Sequence, residues 1–304
     1  MLLWRQCPYE GVCYKTSMTR IVLGNHSNAL AIRQARAVVS ELLAEWPDVT
    51  INQRTLHYQN EQGILEALQA NKVSIALCAL EKLPYTLPEG LALAAVTKRL
   101  EPRAALLSRE HTRDLQAIAP QARVGVTTSR DQAFLKVNRK DIHIDVLSGD
   151  VEQDLARLAA DDLGALLLPC SSLIDSGLRQ LADTLLEASS FPPAIGQGAL
   201  GLLVRADDDL AFEIAYTLQH RPSFDRVVAE RSFAQILAVQ PSRALGALAS
   251  INDDGELKLF GMLTDMDGQF ALQAEIYGDA EEAEELGREL AQDVLEQLKT
   301  HSSS

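Results

Sequence analysis

The sequence has few aromatic residues and no long hydrophobic run. Aromatic residues make up 5% of its 304 residues, whereas hydrophobic residues make up 47%. No stretch approaches the roughly 20 consecutive apolar residues that span a membrane, and no cationic segment followed by an apolar core marks a secretion signal. These absences predict a cytoplasmic protein. A composition rich in Ala, Leu and Val is typical of α/β proteins, whose helices pack on buried strands.

Basic residues are in deficit. The chain has 28 Lys and Arg against 42 Asp and Glu, which gives a formal net charge of −14. Binding to nucleic acids depends on cations that neutralise phosphates. The charge therefore argues against a nucleic-acid partner.

Cysteine is scarce. The four cysteines, Cys7, Cys13, Cys78 and Cys170, are too few and too scattered for a disulfide framework. No His or Cys follows the first two at the spacing of a zinc finger, so no metal site is predicted. Residues 1–17 show no clear period. They are interpreted as an N-terminal extension, since a strand pattern begins only at Met18.

From Met18 the chain alternates short apolar strands with amphipathic helices. The strands "TRIVLG", "DVTINQRTL" and "VSIALCAL" are separated by helix-like segments, and Ser27 or Asn28 is a candidate cap for the first helix. A second run of this kind follows, and then a return strand in "GQGALGLLVR". The order βαβαβ predicts parallel strands joined by right-handed crossovers.

The last segment has a different pattern. Three strands with tight turns at Asp254-Gly255 and Asp267-Gly268 precede an amphipathic helix that covers one face of their antiparallel sheet. The predicted organisation is therefore an α/β domain of residues 18–99 plus 195–217, a second α/β domain of residues 100–194, and a small C-terminal α+β domain of residues 222–304.

Six segments resemble landmarks of the porphobilinogen deaminase (hydroxymethylbilane synthase) family and occur in the family's order. They are "LPYTLPEGL" (83–91), "EPRAALLS" (101–108), "VGVTTSR" (124–130), "LSGDV" (147–151), "AIGQGALG" (194–201) and "AER" (229–231). The resemblance runs from about Met18 to the end of the chain. It implies two α/β lobes like those of periplasmic binding proteins, with mixed, mainly parallel sheets, and a small α+β domain with a three-stranded antiparallel sheet and a helix.

The resemblance also implies a chemistry. The family condenses porphobilinogen units head to tail on a dipyrromethane cofactor that a cysteine holds as a thioether. It uses one carboxylate to stabilise cationic pyrrole intermediates, and arginines to bind the acetate and propionate side chains of the substrate.

The residues that would perform this chemistry are replaced. The family's "HSMKD" motif corresponds to "CALEK" (78–82), so Lys82 stands at the position of the catalytic Asp. An ammonium group opposes a developing cation rather than stabilising it. Glu81, one residue away, is expected to point to the opposite face of a strand and away from the site.

The position of the cofactor cysteine is also changed. Counting forward from "AER" places Pro241 there, and proline has no thiol. Cys170, on a different apparent strand, is interpreted as a small buried hydrophobic residue. No catalytic residue and no dipyrromethane cofactor are therefore predicted.

The family's anion-binding positions differ as well. Asp131, Asp154 and Asp175 fall on arginine positions, and Ser148 replaces the arginine of the family's "LRGN" motif. At 4 Å and an effective dielectric constant near 20, each reversal turns about 4 kcal/mol of attraction for a carboxylate into repulsion, so we expect the polyanionic substrate to be rejected. The chain is also shorter by roughly a dozen residues between "RTLHYQ" and "GILEAL", where the family has a mobile lid.

The remaining ligand-binding candidates are polar side chains at positions that correspond to the family's site: His26, Asn28, Gln34, Lys82, Thr127, Thr128, Arg130, Ser148 and Gln197. Thr127, Thr128 and Arg130 open a predicted helix and form a candidate small-anion site. The alternative is that Thr128 or Ser129 simply caps that helix.

Three functions follow from these observations. The preferred one is a porphobilinogen deaminase-like protein that no longer makes hydroxymethylbilane and binds a small molecule or regulates another protein. The second is a divergent hydroxymethylbilane synthase of tetrapyrrole (heme) biosynthesis. The third is a modulator of metabolic enzymes that binds a protein partner through its acidic C-terminal helix, residues 279–298.

Overall fold

The computed structural model describes residues 20–58, 60–160, 162–237 and 243–302. By packing, these residues form two compact units, which are residues 20–99 with 199–224 and residues 100–198 with 225–302. The predicted extension, residues 1–17, and Pro241 lie outside the described residues. The division into three domains stays a prediction.

The strands of the described residues belong to three sheets. Their bounds are β1 (Arg20–His26), β2 (Thr50–Leu56), β3 (Ile75–Ala79), β4 (Leu91–Val96), β5 (Ala104–Ser108), β6 (Arg123–Val126), β7 (His143–Val146), β8 (Ala165–Pro169), β9 (Thr184–Leu185), β10 (Leu200–Arg205), β11 (Arg243–Ile251), β12 (Glu256–Asp265) and β13 (Ala271–Asp279).

The α-helices connect or cover these strands. Their bounds are α1 (Ala29–Glu45), α2 (Glu61–Gln69), α3 (Ser129–Asn138), α4 (Val151–Ala159), α5 (Cys170–Asp175), α6 (Asp209–Tyr216), α7 (Arg221–Leu237) and α8 (Ala283–Ser302). Short 3₁₀ turns occupy Leu80–Lys82, Leu115–Ala117, Arg179–Leu181 and Ala280–Glu282. Within the described part of the chain, no helix is both long and apolar enough to cross a membrane.

The first unit is built on a five-stranded sheet with the order β2-β1-β3-β10-β4. β1 pairs in parallel with β2 and β3, whereas β10 pairs antiparallel with β3 and β4. Four strands of this sheet therefore share one direction. Helix α1 buries Ala35, Val38 and Leu42 against the sheet, at the spacing of one helix face. The Oδ1 atom of Asn28 caps this helix by accepting the N–H of Ala31 at 2.7 Å.

The second unit repeats this arrangement with the order β7-β6-β8-β5-β9. β6 pairs in parallel with β7 and β8, and β5 pairs antiparallel with β8 and β9. Its core is centred on Phe134 of α3 and includes Ala244 and Met262 of the C-terminal sheet. Each sheet is thus mixed with one reversed strand, as the mainly parallel pattern predicts.

The C-terminal sheet is antiparallel, with the order β11-β12-β13. Helix α8 packs on β12 and β13 and buries Leu286, Leu290 and Val294. The fold is therefore two α/β lobes of mixed sheets and a small sheet with one covering helix.

Two local expectations were wrong. The strand that was expected to carry Glu81 and Lys82 ends at Ala79, and both residues lie in the 3₁₀ turn that the Leu83 N–H closes on the Leu80 carbonyl. Cys170 begins α5 rather than lying on a strand. In both places the last residue of the apolar run still donates a backbone hydrogen bond across the sheet, Leu80 to Ala199 and Cys170 to Arg103, so composition alone does not mark where the strand ends.

Gly268, in the turn between β12 and β13, fixes the C-terminal sheet against α3. Its φ is +63°, and a Cβ there would lie 2.7 Å from the backbone nitrogen of Val137. Gly255 in the other turn has a φ of +84°, but a Cβ there would meet no described atom within 4 Å. We expect Gly268→Ala to lower the free energy of unfolding by about 2 kcal/mol or more, because strain and a backbone clash add.

Chemical denaturation of both glycine variants measures this difference. Gly255→Ala supplies the matched control, since it carries the conformational strain without the clash, and its loss should be about 1 kcal/mol. Equal losses of unfolding free energy for the two variants would show that the close approach of the Gly268 turn to α3 does not contribute to stability.

Candidate functional site

The 3₁₀ turn after β3 presents the two charged residues of "CALEK". Lys82 is exposed, and its ammonium group makes no hydrogen bond or ion pair with any residue that the structure describes. Glu81 reaches the surface only in part, and its Oε2 atom is buried without a hydrogen-bond partner among those residues. Burial raises the pKa of Glu81, and the nearby charges of Lys82 and Arg99 offset this only in part.

Glu81 was expected to point to the opposite face of a strand, but it lies in a turn with one carboxylate oxygen buried. A 3₁₀ turn rotates successive side chains by a third of a circle rather than by half, so the alternation of a strand does not apply. The turn thus offers one exposed ammonium group and one acid that resists ionisation.

The raised pKa of Glu81 makes a prediction about stability. Its pKa is raised above the usual 4.5, so the folded protein holds the proton more tightly than the unfolded chain. Protonation of Glu81 therefore contributes to the stability of the folded protein. This contribution is complete below the pKa of Glu81 in the unfolded chain, and it is lost as the pH rises through its pKa in the folded protein. Gln keeps the neutral form at every pH. We therefore expect Glu81→Gln to match the parent protein at about pH 4 and to unfold at a higher temperature at neutral pH.

Thermal unfolding across this pH range tests the prediction. Glu89→Gln, on an exposed loop residue, is the matched control and should change little at any pH. A lower unfolding temperature for Glu81→Gln at neutral pH would instead show that Lys82 or Arg99 stabilises an ionised carboxylate.

The described cysteine thiols are not available as nucleophiles. Cys78 faces the interior with 4% of its surface exposed, and burial raises the pKa of its thiol to about 12. Cys170 is fully buried, and burial raises the pKa of its thiol as well. Only a thiolate attacks an electrophile efficiently, so neither group fits the attachment of a cofactor.

His26 and Asn28 lie where β1 turns into α1, and both are engaged locally. His26 Nε2 donates to the Tyr58 carbonyl at 2.8 Å, so that Nδ1 accepts the N–H of Asn28 at 3.3 Å. The Asn28 side chain caps α1. Gln34 is half-buried on the same helix.

The predicted anion site at the start of α3 is occupied by the chain's own carboxylate. Thr128 caps the helix by accepting the N–H of Asp131 at 3.0 Å, and the Thr127 hydroxyl donates to the Asp131 carboxylate at 3.3 Å. An acid in the first turn already satisfies the positive end of the helix dipole. A second anion would have to compete with Asp131.

Arg130 is held by backbone carbonyls rather than directed at solvent. Its Nε donates to the carbonyl of Leu245 at 2.7 Å, Nη1 pairs with Asp131 at 2.5 Å, and Nη2 donates to the carbonyl of Pro192. The guanidinium group also lies 4.7 Å from the centre of the Phe134 ring. These contacts tie α3 to the C-terminal sheet and leave few donors for a ligand.

Ser148 and Asp154 bond to each other. The Ser148 hydroxyl and the Gly149 N–H both donate to the Asp154 carboxylate, each at 3.1 Å. Asp154 is 1% exposed, and burial raises its pKa despite these bonds. The two positions at which the family has arginine thus contact each other. The Asp154 carboxylate is buried and bonded to the protein itself, so it is not exposed to a ligand.

Gln197 is buried and braces the glycine-rich turn before β10. Its side chain donates to the Pro102 carbonyl and accepts the N–H of Ala194 at 3.3 Å. Gln197 and the Arg130–Asp131 pair line one cavity of about 10 Å³, which has room for a water molecule but not for a pyrrole.

The structure places the candidates in two groups. His26, Asn28, Gln34 and Lys82 belong to the first unit. The second unit contains Thr127, Thr128, Arg130, Ser148 and Gln197. Within the second unit the starts of α3 and α4 are adjacent, since a Cβ on Gly149 would lie 3.9 Å from Thr127 Cβ.

The sequence reasoning missed the role of Glu230. This fully buried carboxylate accepts the N–H groups of Gly196 at 2.8 Å and Ala249 at 2.9 Å, and so joins the glycine-rich turn to β11. A charged Glu230-Arg231 pair inside the apolar "VVAERSFAQIL" was the available signal, because buried charges are rare unless they are paired. No group of His, Cys, Asp and Glu in the described ranges could hold a metal ion.

Comparisons with known proteins cover nearly the whole chain. The family model "Porphobilinogen deaminase, dipyromethane cofactor binding domain" matches residues 21–213, and "Porphobilinogen deaminase, C-terminal domain" matches residues 224–296. Porphobilinogen deaminase of Thermus thermophilus is 39% identical over 92% of this chain and 97% of its own length. The protein of that name from Deinococcus radiodurans is 33% identical over 92% and 96%.

Among solved structures, a nutrient-binding protein from Burkholderia cenocepacia bound to methionine covers 65% of this chain and 91% of its own. The TM-score is 0.45 at 14% identity, which says nothing about function. The two family models and the relatives from Thermus and Deinococcus settle the family. The chain belongs to the porphobilinogen deaminase family.

Proposed function

We propose that this member of the family does not make hydroxymethylbilane and acts as a small-molecule-binding or regulatory protein. The observation that carries the proposal is Lys82, an exposed ammonium group at the position of the family's catalytic Asp. A positive charge there would oppose the cationic intermediates of pyrrole condensation.

Within the ranges that the structure describes, the residues do not fit the dipyrromethane cofactor. Its attachment needs an accessible thiolate, and the described cysteines, Cys78 and Cys170, are buried thiols with raised pKa values. The position that corresponds to the cofactor cysteine is Pro241. We therefore derive no chemical step through this group.

The contacts of the second unit also support the loss of polyanion binding. Arg130 is committed to Leu245, Pro192 and Asp131, and Asp154 takes up the Ser148 hydroxyl. Side chains that donate to the protein itself are not free to bind acetate and propionate groups. The carboxylates of Asp131 and Asp154 also accept hydrogen bonds from the protein itself, so they are not free to attract a cationic ligand.

The alternative of a divergent synthase has one observation in its favour. Glu81 retains a buried acid beside the position of the lost Asp, and its raised pKa is a property of catalytic acids. Such an enzyme would still need an anchored cofactor, since the family builds its product on one.

One experiment separates these functions. The intact mass of the purified protein, its colour with an aldehyde reagent for pyrroles, and its turnover of porphobilinogen should all be negative for the proposed binding protein. A bound dipyrromethane together with turnover would establish the synthase instead.

A further inference from the structure

The second unit has a groove beside an open strand edge. The groove has a volume of about 320 Å³ and is lined by Lys136, Arg139, Lys140, Ile142, Ile144, Asp267 and Gln269. Its walls are the end of α3, the residues that lead into β7, and the turn between β12 and β13. None of these residues belongs to the candidate site above.

The edge beside the groove is the outer side of β7. Among the strands that the structure describes, β7 is the last of its sheet and pairs with β6 alone. The N–H of His143 bonds to Ala122 and that of Leu147 to Val126, so the odd-numbered residues of this strand face β6. In a parallel ladder alternate residues face opposite sides. The N–H and C=O groups of Ile144 and Val146 therefore point away from the sheet, and no described residue bonds to them.

An apolar row accompanies this open edge. Ile142, Ile144 and Val146 share one face of the strand, because side chains two residues apart point the same way. Ile142 is 9% exposed and Val146 is 50% exposed, so the row runs from the core out to solvent. An added strand could cover Val146 and Ile144 while it bonds to their backbone groups.

The rim of the groove carries positive charge in a chain whose net charge is −14. Arg139 is committed, because it donates to the carbonyls of Leu115 and Ile118 and pairs with Asp141. Lys136 contacts the exposed Asp267 at 3.2 Å and the Met266 carbonyl at 3.3 Å.

Lys140 donates one hydrogen bond to the described part of the chain, to the Gln269 side chain at 3.3 Å. An ammonium group has three donors, so both lysines keep donors for an incoming carboxylate. An exposed pair such as that of Lys136 with Asp267 is also weak enough to exchange its partner.

From the open edge, the apolar row and the two ammonium groups, we propose that β7 and this groove bind an extended acidic peptide segment of a partner protein. The peptide adds a strand to β7 through Ile144 and Val146. Its apolar residues cover the Ile142–Val146 row, and its carboxylates pair with Lys136 and Lys140.

The test uses the full-length protein and a short, blocked, fluorescein-labelled peptide of alternating Glu and Val. Binding is measured by fluorescence anisotropy, and amide hydrogen exchange locates it. We expect slowed exchange at Ile144 and Val146, and about tenfold weaker binding to the Lys136→Glu, Lys140→Glu double variant. The Lys72→Glu, Lys98→Glu double variant has the same net charge and should bind like the parent.

A second variant removes the backbone contact directly. Val146→Pro deletes an N–H that does not serve the β6 ladder, so the protein should fold but lose the peptide, whereas Val146→Ala should retain most of the affinity. Circular dichroism checks the fold of every variant. A peptide of alternating Lys and Val should bind weakly or not at all.

Several results would overturn the proposal. The first is failure of the acidic peptide to bind, and the second is slowed amide exchange at strands other than β7. The others are equal binding of the peptide by the two charge-reversed double variants, and binding by the folded Val146→Pro variant as tight as that of the parent protein. Full displacement of the peptide by free glutarate at similar concentration would also do so, because the groove would then select a small dicarboxylate rather than a strand.

Discussion

Incubated with porphobilinogen, the purified protein is expected to release no hydroxymethylbilane. Loss of a proton-transferring carboxylate costs about 10²- to 10⁴-fold in rate, and an opposing charge at the reacting centre adds to this loss. In the proposed function, proline at the position of the cofactor cysteine also removes the group on which the product would be built. The combined effect should place turnover below detection, with porphobilinogen deaminase of Thermus thermophilus, 39% identical to this chain, as the positive control.

The Lys82→Asp variant tells the two causes apart. It restores the carboxylate but not the cysteine thiol that holds the cofactor. We therefore expect the variant to remain inactive and to keep an unmodified mass. Turnover by this variant alone would mean that a cofactor can be attached or replaced, and the part of the proposal based on Pro241 would then be wrong. Turnover by the parent protein would contradict the proposal as a whole.

Replacement of Arg130 is expected to cause a large loss of stability. Its side chain is 16% exposed and serves two carbonyls and Asp131, itself 15% exposed. Arg130→Ala removes the guanidinium donor to both carbonyls and the ion pair with Asp131, which should cost about 3 kcal/mol and lower Tm by roughly 5 to 10 °C. Thermal unfolding of Arg130→Ala beside Arg113→Ala, a change at an exposed arginine, measures the difference.

This result bears on function as well as stability. If Arg130 were kept to bind a ligand anion, its loss would abolish binding and leave the unliganded protein about as stable as before. An unchanged Tm would therefore contradict the structural role and revive the small-anion site at Thr127, Thr128 and Arg130. Arg130→Lys should recover only part of the stability, because an ammonium group cannot match the planar fork that reaches Leu245 and Pro192 together.

The groups around Ser148 show what single positions cannot reveal. Read one at a time, the Ser148 and Asp154 positions indicate lost anion contacts. The structure shows that they compensate each other, since the hydroxyl donates to the carboxylate at 3.1 Å. Two residues six positions apart meet here only because a loop turns back at Gly149, whose φ is +76°.

The sequence by itself determined the family, the alternation of strands and helices, the two glycine turns of the C-terminal sheet, and the identity of the residue at position 82. These depend on local pattern and residue type, which the chain carries without folding. Tertiary structure decided that the Oε2 atom of Glu81 is buried, that Arg130 donates to Leu245, and that β7 has an open edge. Each of these depends on partners distant in sequence or on the place of a strand in its sheet, and neither is encoded in a local period.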